Sequence, residues 1–212
     1  MRLPVLVSFL IISSVEHAAS QNAYVRLGKQ AYIDGNFKAA VTQLEKGCMI
    51  DSTNANALWM LGYSYYHSDN YLKSITAFTK EIAITPADAH AYYYRARAQY
   101  HLGTDSQVPA EKEKYLLGAI IDFTKAISIN PADTKLTVFY QNRGLVYKDY
   151  AAFKLQTNSR FYDKRRGIDA LKASIADLQK VLDSDGNRND VSNISSLIDL
   201  SKEKLATAVG HH

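Results

Sequence analysis

The chain has 212 residues, 47% hydrophobic and 22% charged, so it is long enough to bury a core and too apolar to stay disordered. Its formal charge of +4 is too small to imply a nucleic-acid partner, and its single cysteine, Cys48, excludes an intramolecular disulfide and a cysteine metal cluster. Four prolines and ten glycines are too few for a turn-rich β-sandwich, whereas fifteen tyrosines suit half-buried surfaces, where the ring packs and the hydroxyl stays wet.

Residues 1–20 have the composition of a targeting segment. Arg2 gives the positive start, Leu3 to Ile12 is an almost unbroken apolar run, and Ala18 and Ser20 have cleavage-site spacing. The run is too short to span a bilayer. It reads as a secretory signal peptide with cleavage expected before Gln21; an uncleaved N-terminal anchor is the other reading. No cysteine stands at the cleavage point, which excludes a bacterial lipoprotein. The expected location is secreted or periplasmic, with no membrane span after cleavage.

From residue 21 the sequence repeats. Leu27-Gly28 recurs as Leu61-Gly62, Tyr32 as Tyr66, Asn36 as Asn70, Phe37 as Tyr71, and Val41 as Ile75, each 34 residues on. Residues 89–103 continue in register, with Ala91 at the place of Ala57 and Ala96 at that of Gly62. The second half of the third copy arrives late. Phe78-Thr79-Lys80 returns as Phe123-Thr124-Lys125, and Pro86 as Pro131, 45 residues on. The excess falls at 104–114, which holds Pro109 and many charges and reads as a loop or short helix. A fourth copy over 134–185 places Arg143-Gly144 at Arg95-Ala96, with its excess at 150–167. Residues 190–209 carry Val191, Ile194, Leu197, Ile198, Leu205 and Val209 at helical spacing and read as a capping helix.

A 34-residue period with Leu-Gly, Tyr, a small residue, an aromatic and a closing Pro resembles the tetratricopeptide-repeat (TPR) family, in its secreted or periplasmic bacterial type. The resemblance covers nearly all of 21–185 and is closest in the second copy, at Leu61, Gly62, Tyr65, Ser74, Phe78 and Pro86. It implies an all-α, right-handed solenoid over 21–209. About four antiparallel helix pairs, near 21–54, 55–88, 89–133 and 134–185, would be closed by the cap. Gly28, Gly62, Ala96 and Gly144 would be small where paired helices cross, as would Ala40, Ser74, Ala119 and Ser174 on the second helices.

The resemblance also implies a groove lined by the first helix of each pair. It would hold a peptide or protein partner and carry no catalysis. The groove candidates are Lys29, Trp59, Tyr63, Tyr66, His90, Tyr93, Arg97 and Tyr100. Trp59 stands one residue after the family's usual Trp position, filled here by Leu58. One residue turns a side chain about 100° around a helix, which directs Trp59 to the groove. The family's carboxylate clamp is absent: its places hold Val25, Lys29, Met60, His90 and Tyr94.

No metal or cofactor is expected. The histidines outside residues 1–20 and the terminal pair His211-His212 are His67, His90 and His101, without an HExxH motif or a cysteine pair. A small-ligand or metal-binding module built on them is the alternative, and a homo-oligomer filling its own groove is a third reading. Lys164, Arg165 and Arg166 form a basic edge together with Lys112 and Lys114, which points to an acidic partner surface.

Overall fold

The computed structural model describes residues 23–130, 136–184 and 191–210. The expected signal segment, Pro131 and the terminal histidines lie outside the described residues. All secondary structure among the described residues is helical. Helix α1 covers 23–33. It is followed by α2 (Phe37–Ile50), α3 (Ala55–Tyr66), α4 (Tyr71–Ile84), α5 (Ala89–Asp105), α6 (Pro109–Ile129), α7 (Leu136–Lys154), α8 (Lys164–Ser184) and α9 (Val191–Gly210). No described helix is long and apolar enough to cross a membrane. The chain forms two compact units, one ending at Pro86 and one beginning at Ala87.

In the first unit, α1 to α4 form two hairpins. The turn into α2 uses Gly35 at φ 72°, and the turn into α4 uses Asp69 at φ 56° in the equivalent place. Glycine enters this left-handed region without steric cost, and Asp is among the few other residues that tolerate it. Asn36 caps α2 through the amide of Ala39, and Asn54 caps α3 through that of Ala57. The core comprises Ala40, Leu44, Ala57, Leu61, Tyr65 and Ala77. Gly62 explains the small-residue positions: a Cβ there would stand 3.0 Å from the Phe78 ring. The close approach also lets Ser74 Oγ donate to the Gly62 carbonyl at 2.9 Å.

In the second unit, α5 pairs with α6 and α7 with α8, and α9 follows on α8. Ser174 Oγ donates to the Gly144 carbonyl at 2.8 Å, repeating the Ser74 contact. Ile194 and Ile198 of α9 pack on Leu178 and Val181. Two buried ion pairs stitch the hairpins. Arg95 Nε and Nη2 donate to Asp122 at 2.7 Å each, and Arg143 Nε and Nη2 donate to Asp177 at 2.7 and 2.8 Å.

The inserted residues lie between the two helices of their pairs and are taken up mostly as added helical turns. Over 104–114, α5 runs on to Asp105 and α6 begins at Pro109, so the insertion lengthens both helices and leaves a short connection at 106–108. Pro109 fits the first helical turn, where its missing N–H costs nothing. The added turns are held together because Leu116 is fully buried against Gly103. Over 150–167, α7 continues to Lys154 and α8 starts at Lys164, leaving a short connection. That connection is pinned: Asp163 N–H donates to the Lys154 carbonyl, Lys154 Nζ donates to the Phe161 carbonyl, and Phe161 packs on Phe153. The two extensions meet, since Lys154 Nζ lies 2.6 Å from Glu113 Oε1 on α6.

Candidate functional site

The one-residue displacement of Trp59 has the consequence the helix period requires. Leu58 is 2% exposed and belongs to the core, while Trp59 is half-buried. Trp59, Tyr63 and His67 follow one another at i, i+4 spacing and form a ladder along α3. Trp59 stacks on Tyr63 with centroids 5.3 Å apart and planes at 17°, and Tyr63 meets His67 at 4.3 Å. Tyr32 of α1 sits edge-on to Trp59 and Tyr63, at 6.3 and 5.3 Å. Phe37, the first residue of α2, stacks on His67 at 4.7 Å. Trp59 is braced behind by Phe78, edge-on at 6.2 Å.

In front of this ladder lies a cavity of about 330 Å³, lined by Lys29, Tyr32, Asn56, Trp59 and Met60. Its volume is within the usual range of ligand pockets. Burial, with a lesser contribution from Tyr63, holds the Tyr32 phenol above its ordinary pKa, so its hydroxyl is a neutral donor. The face therefore offers flat aromatic surface, one amide and one lysine ammonium.

The other predicted groove residues divide. Tyr66 and Tyr93, at 6 and 7% exposure, are core residues and offer no binding surface. Tyr66 packs edge-on to His67 and against Tyr71 within the first unit. Tyr93 stacks on Phe139 at 4.6 Å in the second unit and receives a hydrogen bond from Asn142. His90 stands edge-on to Phe139, Arg97 lies over Tyr93 and Tyr94, and the Tyr100 hydroxyl donates to Asp149 at 2.5 Å. Burial, then the Asp149 carboxylate, pushes the Tyr100 phenol far up. Lys29, Trp59 and Tyr63 thus share one face, while His90, Arg97 and Tyr100 belong to the second unit. His67, expected only as a ligand of the alternative histidine module, joins the ladder as a ring, and Phe37 joins it without having been singled out as a site residue. The spacing of His67 from Tyr63 is readable in the sequence, whereas Phe37 reaches the ladder from another helix.

Among the described residues no three His, Cys, Asp or Glu side chains stand together as a metal site. Cys48 is half-buried, and burial raises its thiol to about 11, which keeps it neutral. Of the basic edge, Arg165 and Arg166 are exposed and Lys164 is half-buried, all in the first turn of α8. Arg166 reaches Asp163 at 3.5 Å and Glu113 at 3.8 Å.

The chain matches no protein-family model and no curated protein sequence. Solved structures resemble it in fold. The MamA protein is 20% identical, with 90% of this chain and 96% of MamA covered at a TM-score of 0.55. TTC0263, a TPR protein of Thermus thermophilus, is 19% identical over 84% of this chain and 98% of its own, at 0.50. The second TPR domain of human RPAP3, in complex with an HSP70 peptide, is 17% identical over 62% of this chain and 98% of its own, at 0.51. Identities this low speak to architecture alone, and they agree with the period, the small crossing residues and the helix pairs. The chain has the all-α fold of tetratricopeptide-repeat proteins.

Proposed function

We propose that the chain is a non-catalytic protein-interaction scaffold, acting in the periplasm or outside the cell, that takes a peptide segment on the face built by α1 and α3. The observation that carries the reading is the Trp59–Tyr63–His67 ladder beside an open cavity. Trp and Tyr are the side chains most enriched where binding energy concentrates. Here they are fixed before any partner arrives, which lowers the ordering cost of association. The similar RPAP3 domain holding a peptide supports the same use of the fold.

Peptides selected from a displayed library against the whole chain test this. Trp59→Ala is expected to weaken the selected peptides at least tenfold while leaving the helical melting curve within a few degrees of the parent. Unchanged affinity, or an unfolded variant, would remove Trp59 from the binding role. The location rests on residues 1–20. Chain recovered from a fractionated native host is expected outside the cytoplasm with Gln21 at its N-terminus. An intact leader in the cytoplasm would overturn that part.

A further inference from the structure

Helix α9 carries a stripe that its packing on α8 leaves over. Leu200, Glu203, Lys204, Thr207 and Ala208 recur at helical spacing, and with them a crevice of about 470 Å³ is lined by Ala152 at the end of α7 and by Leu155 and Tyr162 of the pinned connection. The crevice lies wholly within the second unit and is lined mainly by apolar groups. Two apolar side chains stay open to solvent at it, Tyr162 at 42% and Leu200 at 41% exposure.

Its rim is basic. Lys164 and Lys204 line the crevice, and exposed Arg165 follows Lys164 in the first turn of α8. Arg165 and Lys204 make no ion pair among the described residues. The neighbouring acids are engaged. Asp163 caps α8 through the Arg166 amide and meets the Arg166 guanidinium, and Glu113 is held by buried Lys154. Glu203 is the one acidic side chain among the lining residues. Three cations in the first turn of α8 also oppose the helix dipole, an arrangement that local stability does not favour.

We infer that this crevice is a second docking site, separate from the α1/α3 face, for an acidic peptide segment of a partner protein. One apolar side chain of the segment enters between Tyr162 and Leu200, and its carboxylates meet Lys164, Arg165 and Lys204. The rim supplies charge complementarity, which sets on-rate and salt dependence, and the crevice supplies the anchor pocket. A membrane surface fits less well, because it meets protruding apolar side chains, whereas here the apolar surface is recessed.

The test uses a fluorescein-labelled nonapeptide of Asp and Glu with one central Phe, titrated into the whole chain and read by anisotropy at low and high salt. Two control peptides replace the Phe by Ala, or all acids by Lys. The acidic Phe peptide is expected to bind, with affinity falling as salt rises. At least tenfold weaker binding is expected for the Ala control, for the Lys control, for Lys164→Glu with Lys204→Glu, and for Ala152→Trp, which fills the crevice from an exposed position. Trp59→Ala is expected to leave this binding unchanged, so failure here is distinguishable from failure at the α1/α3 face. Equal binding of all three peptides, or full binding by Ala152→Trp, would overturn the proposal. So would capture by phosphatidylglycerol vesicles with no peptide binding, which would reassign the face to a lipid surface. A concentration-dependent dimer abolished by Ala152→Trp would reassign it to a second copy.

Discussion

The positions of Leu61 and Ala77 in the second repeat are filled by Arg95 and Asp122 in the third, and by Arg143 and Asp177 in the fourth. In the first unit they are core residues at 6 and 4% exposure. In the second they become ion pairs whose Asp side chains are 5% exposed and whose Arg side chains are 18 and 14% exposed. Each guanidinium is held by two parallel hydrogen bonds, the geometry in which Arg and carboxylate pair best. Arg143 also lies over the Tyr140 and Tyr147 rings. Removing one partner of such a pair strands a buried charge, at a cost of about 3–5 kcal/mol, whereas replacing both by apolar groups is often neutral. Arg143→Leu alone is therefore expected to destabilise by roughly 3–5 kcal/mol. Arg143→Leu combined with Asp177→Ala, which restores the residues of the second repeat, is expected to regain most of the loss. Urea unfolding of the two variants measures both. A double variant as unstable as the single one would mean that the pair, and not the stranded charge, carries the stability.

At the scale of helices, the period was legible because it rests on backbone approach. Gly62 and Gly144 are small since a Cβ would meet Phe78 or Leu178 at 3.0 Å. Trp59 was legible for a similar reason, because one residue of displacement is a rotation that the helix fixes. The insertions were legible in part. Residues 104–114 read as a loop or short helix, and what lengthens both helices there is Leu116 buried against Gly103, a contact between two helices that composition does not register. Tyr66 and Tyr93 were misplaced for the same kind of reason. Their spacing puts them on the predicted face, but burial depends on what covers that face, and Phe139 of α7 covers Tyr93. The Arg–Asp pairs were hidden too. Arg95-Ala96 and Arg143-Gly144 were visible as a change from Leu-Gly, but the compensating acids stand on the following helices. The crevice beside α9 needs the extended end of α7, the pinned connection and α9 together, and no single segment announces it.

Over the whole molecule, tyrosine sets the alkaline limit. Tyr32, Tyr65, Tyr93, Tyr100 and Tyr150 all have raised pKa values, burial being the first cause in each. Carboxylates add to it at three of them: Glu45 accepts from Tyr65, Asp149 from Tyr100 and Glu113 from Tyr150. The unfolded chain loses these protons near the ordinary tyrosine value, about 10. The folded chain keeps them to higher pH. Above that value the unfolded state binds fewer protons than the folded one, so the free energy of unfolding falls as pH rises. The contribution is fully present below the unfolded value and is lost as pH climbs toward the folded ones. The raised tyrosines occur in both units, so both are expected to weaken together. Thermal melts across the alkaline range, followed by circular dichroism and tyrosinate absorbance, are expected to show the five raised tyrosines ionising in one cooperative step that coincides with loss of helix. A gradual rise of tyrosinate to completion in a still-helical chain would show that the buried hydroxyls are not held by the fold. The Tyr100–Asp149 pair would be the first contact called into question, since burial and the Asp149 carboxylate both raise the Tyr100 phenol and the hydrogen bond is 2.5 Å.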